Sequence, residues 1–89
     1  MKKCILDGAR LGDAAAVYRA LAETFRFPEY FGNNPDALWD ALGDYSGEPV
    51  LITWRHASRS AISLGPQFAR IVAVLERAAA EGMLTLELA

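Results

Sequence analysis

Three short runs of apolar residues, Cys4 to Leu6, Val50 to Trp54 and Leu84 to Leu88, stand far apart in a chain of 89 residues, and the stretches between them carry helical patterns. That spacing is the strongest constraint on the fold. Strands joined through a helix can lie parallel, because a parallel pair needs a crossover of about a dozen residues or more, and such crossovers are right-handed. The resulting order is strand, helix, helix, strand, short helix, long helix, strand. It predicts an α/β fold in which a three-stranded parallel sheet is flanked by helices. No repeat, linker or low-complexity tract interrupts the chain, so residues 1–89 are expected to form a single domain. The first two runs are continuous rather than alternating, which predicts strands covered on both faces, the second of them central. The third alternates Thr85 and Glu87 with leucines, which predicts one exposed side near a sheet margin.

The helix signals are local and specific. Asp13 is placed to cap a helix to about Phe25, with Val17, Leu21 and Phe25 on one stripe, Arg19, Glu23 and Arg26 facing water, and Pro28 ending it. Asn34 followed by Pro35 is the clearest start in the chain: the amide oxygen can accept backbone N–H bonds, and proline at the first helical position lacks a donor that would go unused anyway. Leu38 and Leu42 then share a core-facing side, and Gly43 reads as a left-handed C-cap. Only the Glu29–Asn34 connection separates these two helices, so they are expected to pack as neighbours. Residues 55–64 support at most a short, weak helix. Pro66 opens the longest one, along which Phe68, Ile71, Val72, Leu75 and Ala79 keep the 3.6-residue period until Gly82 stops it.

Charge is distributed unevenly. From Glu29 to Glu48 the chain holds Glu29, Asp36, Asp40, Asp44 and Glu48 and no Lys or Arg, whereas the whole chain is only −2. Asp36, Asp40 and Asp44 recur at four-residue spacing, so they share one face and repel one another. The helix dipole favours Asp36 in the first turn, but it opposes the other two near the C-terminal end. A solvated helix face is the plain reading of such a run. The aromatics point further. Tyr30, Phe31, Trp39 and Tyr45 surround the acids, with Gly32, Asn33 and Asn34 forming a tight turn before the helix, the composition of a protein interface with aromatic anchors in an acidic field. Each ring taken singly reads as core packing sooner than as a ligand contact, and Trp39, one position from Leu38, could be core or flank.

Other chemistries are poorly served. No GxGxxG, P-loop, CxxC or HExxH pattern occurs, and no cofactor is expected. Carboxylates four apart on one helix are too spread to enclose a calcium ion, and the single histidine, His56, has no cysteine near it in sequence, so no metal site is expected. Asp36 and Asp40 could act as an acid–base pair, yet a convex helix of this length offers no pocket, no nucleophile is suitably spaced, and the chain is not expected to be an enzyme. Cys4 is a single cysteine, which excludes an internal disulfide and reads as a small buried hydrophobe. The lack of a long apolar run or a leader core makes the cytoplasm the expected location, with no membrane partner.

The stretch PEYFGNNPDALWDAL resembles the signature of the barstar family, intracellular inhibitors of guanyl-specific secreted ribonucleases. The similarity extends to the opening KKCILDG, the strand ending in Trp54–Arg55 and the helix end Ala80–Glu81–Gly82. The resemblance implies a fold of three parallel strands flanked by helices. It also implies a protein that occludes the RNA-binding active site of a basic ribonuclease or ribonuclease-like toxin, in a 1:1 complex without direct nucleic-acid contact. It places the enzyme-facing tyrosine at Tyr30, the two key aspartates at Asp36 and Asp40, the capping asparagine at Asn34 and the aromatic beyond the helix at Tyr45. Together with the acidic face, the expected partner-binding set is Tyr30, Phe31, Asn33, Asn34, Asp36, Trp39, Asp40, Gly43, Asp44 and Tyr45. One departure is that Arg77 stands where the resemblance expects a further enzyme-contacting acid, with Glu76 one position earlier. The alternative is a binding or immunity module for a different basic toxin or for a non-nuclease partner.

Overall fold

The computed structural model describes residues Met1–Ala89. Seven elements follow in order: β1 (Lys2–Asp7), α1 (Ala14–Phe25), α2 (Pro35–Asp44), β2 (Val50–Arg55), α3 (Ala57–Leu64), α4 (Pro66–Ala80) and β3 (Thr85–Leu88). The strands form one sheet in the order β1-β2-β3, and both pairs are parallel. The fold is therefore α/β, a three-stranded parallel sheet flanked by helices, with β2 central. No helix is long and apolar enough to cross a membrane.

Register shows which face is core. Cys4 pairs with Ile52 and Ile52 with Leu86; Leu6 pairs with Trp54 and Trp54 with Leu88. Cys4, Leu6, Ile52 and Trp54 from this face are buried against Val17, Leu21, Leu38, Ile71 and Leu75 from the helices. Each fully buried leucine or isoleucine stabilises the fold by about 1.5–3 kcal/mol relative to exposure. The intervening residues, Lys3, Ile5, Leu51, Thr53, Thr85 and Glu87, point the other way, and there Ile5 is 60% exposed. The expectation that β1 and β2 are covered on both faces is thus corrected: the helices cover one face only. In β1 the misreading comes from one residue, and in β2 from the outward, half-buried Leu51. Lys3, Ile5 and Asp7 alternate with Cys4 and Leu6, and the apolar Ile5 hides the alternation.

Helix ends follow the local chemistry with two corrections. Asp13 caps α1 by accepting the Ala16 N–H at 2.9 Å. The helix closes at Arg26, a non-glycine residue in the left-handed region at φ 57°, before Pro28 is reached. At the far end of α2, Gly43 lies within the helix. The cap is Tyr45, in extended conformation, so the left-handed Gly43 cap does not form. Gly65–Pro66 and Gly82 bound α4 as expected.

The join between β2 and α3 is tight. His56 turns the chain in the left-handed region at φ 53°, and Ser60, the one buried polar residue, accepts a hydrogen bond from the Trp54 indole N–H at 2.9 Å. A Cβ on Gly8 would meet the His56 carbonyl oxygen and come to 2.5 Å from Ser60 Oγ, so only glycine permits this approach. Burial pushes the Cys4 thiol above its ordinary value, opposed in part by a hydrogen bond with Thr24.

Candidate protein-binding surface

The surface is built from three consecutive pieces: the connection 26–34, helix α2 and the turn 45–49. Asn34, in extended conformation, accepts the Ala37 N–H through Oδ1 at 2.8 Å, and Pro35 follows at the first helical position. This start orients the helix, while Leu38 and Leu42, both buried, press its inner side to the core. Side chains four apart share a face, so Asp36, Asp40 and Asp44 are left on the outside, all exposed. None has an ion-pair partner, since the only salt bridges join Arg10 with Asp7 and Arg77 with Glu81.

Rings hold the preceding connection in place. Tyr45 meets Phe25 edge to face at 4.9 Å, Phe25 stacks on Phe27 at 5.5 Å, Phe27 tilts onto Phe31 at 4.8 Å, and Phe31 reaches the buried Tyr18 at 6.1 Å. Such pairs contribute about 0.5–1.5 kcal/mol each beyond the area they bury, so this connection is anchored although it has no regular structure. The Tyr45 hydroxyl donates to the Glu48 carbonyl oxygen at 2.6 Å and closes the following turn. A Cβ on Gly47 would lie 2.5 Å from that hydroxyl oxygen, which is why the turn carries glycine there.

Between the aromatic connection and α2 runs a groove of about 600 Å³. Phe27, Phe31, Ala37, Ala41 and Tyr45 line it, Asp40 and Asp44 border it on the helix side, and Tyr30 stands at its mouth. Tyr30 is 88% exposed, a large ring with almost no contact in the free protein. Phe31, Trp39 and Tyr45 are partly buried and also pack against the core.

Of the sequence-predicted residues, the structure therefore brings Tyr30, Phe31, Asp40, Asp44 and Tyr45 together around one groove. Asp36 continues the acidic ridge beyond it, and Asn33 lines a neighbouring depression with Arg19 and Glu23. Asn34 acts as the cap. Gly43 is exposed and away from the groove, and a Cβ added to it would meet nothing. Trp39 faces α4, where the Arg77 guanidinium lies over its ring at 4.1 Å. Packing corrects one expectation here: α2 lies chiefly against α4, and α1 and α2 meet through Phe25 and Tyr45 near their C-terminal ends.

Sequence reasoning missed Phe27, Ala37, Ala41 and Arg26 as groove residues. Phe27 and the alanines have no polar signal to mark them. Arg26 falls just outside the acidic run, so counting charge along the chain could not show a cation at the rim.

The arrangement can receive a convex, positively charged projection: apolar walls to bury it, two carboxylates at the edge to pair with it, and an exposed tyrosine to cover it. No group of three or more His, Cys, Asp or Glu side chains is placed to hold a metal ion. Comparison with known proteins adds two findings. A family model described as "Barstar (barnase inhibitor)" matches residues 1–86. The chain is also 30% identical over 81 residues to the protein named "Putative ribonuclease inhibitor YrdF" of Bacillus subtilis (strain 168), covering 91% of this chain and 89% of the relative.

Proposed function

The chain belongs to the barstar family, non-catalytic ribonuclease inhibitors that act by binding protein, and on that premise we propose that it is an intracellular inhibitor of a guanyl-specific, barnase-like ribonuclease. The α2 face covers the enzyme's RNA-binding cleft in a 1:1 complex and makes no contact with nucleic acid itself. The observation that carries this reading is the unpaired acidic ridge of Asp36, Asp40 and Asp44 beside an aromatic groove. A free protein gains nothing from three like charges along one helix face that form no ion pair. A ribonuclease cleft is electropositive because its substrate is a polyanion, and the ridge mimics that substrate's charge.

Each part of the surface then has a task. The acidic field steers encounter and raises the association rate, an effect that falls as salt increases. Asp40, on the ridge and at the groove's edge, pairs with the cleft's arginine or lysine side chains, and Asp36 extends that contact. Tyr30 closes over the rim, where burying a ring that is almost fully exposed in the free protein makes it the aromatic anchor. Asn34 and the ring ladder keep the connection in its binding shape, so little ordering is left to occur on association.

Titrating the protein into its cognate guanyl-specific, barnase-like ribonuclease and following RNA hydrolysis tests this. Inhibition is expected at one equivalent, weakened about tenfold or more by Asp40→Ala, since removing a buried charged anchor costs about 2–5 kcal/mol. Full inhibition after joint replacement of Tyr30, Asp36 and Asp40 would show that another face binds. Binding to a basic protein with no effect on RNA cleavage would favour an immunity role against a different toxin.

A further inference from the structure

The α2 face is not acidic throughout. Successive residues on a helix turn by about 100°, so Trp39 projects from the flank that joins the buried Leu38 to the outward Asp36 and Asp40, and Ala37 and Ala41 occupy the opposite, groove-side flank. On the Trp39 flank α4 supplies Arg77, whose guanidinium carbon lies 4.1 Å from the ring centroid. One turn further, at the C-cap of α4, Glu81 Oε2 comes to 3.6 Å from Arg77 Nε. The stack and the ion pair both favour this arrangement of the side chain. It nevertheless remains 66% exposed, and none of the side-chain hydrogen bonds in the structure uses its donors.

A held guanidinium with unfilled donors differs from an ordinary surface arginine. Its planar fork matches a carboxylate in two parallel hydrogen bonds, and its contacts with Trp39 and Glu81 already hold part of the side chain for such a contact. Arg26, at the groove's other rim, is exposed but has neither a stack nor an ion pair. A partner surface that was basic everywhere would set a cation against Arg77, and like charges across an interface exclude wrong partners as effectively as opposite ones select right ones.

We infer that Arg77 is a specificity-determining residue: the ribonuclease that fits this protein carries an Asp or Glu on the rim of its basic cleft, placed to meet the Arg77 guanidinium where α2 and α4 join. The inference rests on the reading of the α2 face as ribonuclease-directed. It divides that face into an acidic ridge that recognises the cleft and a cationic flank that recognises what borders it. Selection on the flank is a property of Arg77 on its Trp39 platform, independent of the steering done by the aspartates.

The test uses a catalytically disabled barnase as probe, displayed with each surface position changed singly to Asp and to Lys, and selected on the full chain, on Arg77→Glu and on Asp40→Ala. At one rim position the unchanged chain is expected to retain the Asp form about tenfold better than the Lys form, and Arg77→Glu is expected to invert that preference. Arg77→Met, which keeps an apolar stem over Trp39, is expected to abolish the preference without inverting it, and it serves as the comparison if Arg77→Glu does not fold. Retention of the library by both chains with no position whose preferred charge follows residue 77 overturns the inference and marks Arg77 as a packing residue for Trp39. If no ribonuclease variant is retained by any chain, or if Asp40→Ala retains the library unchanged, the underlying reading of the face fails, and the inference fails with it.

Discussion

Replacing Asp40 by alanine should leave the free protein at least as stable as before, and the size of the effect follows from the structure. Asp40 is exposed on α2 with Asp36 one turn before it and Asp44 one turn after, and no ion pair involves any of the three. Relieving a like-charge pair at this spacing is worth about 0.2–0.5 kcal/mol, and two pairs are relieved. Alanine is also the better helix former, by up to about 0.7 kcal/mol. Asp40 lies toward the C-terminal half of the helix, where the dipole opposes negative charge, so no compensating loss is expected. The sum is a gain of about 0.5–1.5 kcal/mol, and for a domain of this size each kcal/mol raises Tm by roughly 4–8 °C. Urea and thermal unfolding in dilute buffer measure the total. Repeating them in 1 M salt separates the parts, because the Debye length shrinks to about 3 Å and suppresses the Coulomb share while leaving the propensity share. A loss of stability above about 1 kcal/mol would refute the reasoning, since a deficit of that size means a native hydrogen bond is made by Asp40. Combined with weaker inhibition, the expected gain would mark Asp40 as a residue retained for binding at the expense of folding.

Three further outcomes follow from the core. Ser60→Ala strands the buried Trp54 indole N–H and should lower stability by about 1–3 kcal/mol; an unchanged urea midpoint would show that this hydrogen bond is immaterial. The Tyr18 hydroxyl is buried without a partner, so Tyr18→Phe should leave stability unchanged or raise it by up to about 1 kcal/mol, and a clear loss in the same assay would reveal a hidden partner. Burial raises the pKa of both Cys4 and Tyr18, with Arg70 opposing it at Tyr18. Both groups are neutral when protonated, so the folded chain holds these protons more tightly than the unfolded one. Their contribution is complete below the unfolded-chain values, about 8.5 for a thiol and about 10 for a phenol, and is lost as pH rises through the folded values. Urea midpoints from pH 7 to 11 should be level and then fall, less steeply for a Cys4→Ala/Tyr18→Phe double variant; a level profile throughout would contradict the assignment.

What could be read from the sequence alone was whatever depends on near neighbours. Asn34 with Pro35, Asp13, and Gly65 with Pro66 determine helix boundaries because capping acts over three or four residues, and each stands where the local chemistry puts it. The acidic ridge was equally legible, since a four-residue spacing fixes a shared face once a helix is granted. Helical connections between three apolar runs sufficed for a parallel sheet with the middle run at its centre.

Only the tertiary structure decided what those elements touch. That the sheet is covered on one side rests on where four helices find room, and Ile5 carries no mark of its exposure. The pairing of α2 with α4 brings Arg77 onto Trp39 across nearly forty positions of sequence, and the groove forms because Phe25, Phe27, Phe31 and Tyr45 converge from three segments. Patterns along the chain encode the direction in which a side chain leaves its own backbone. The neighbour it meets is chosen by packing among distant segments, and for this protein that choice turned an acidic helix into a surface with an aromatic groove on one flank and an anchored cation on the other.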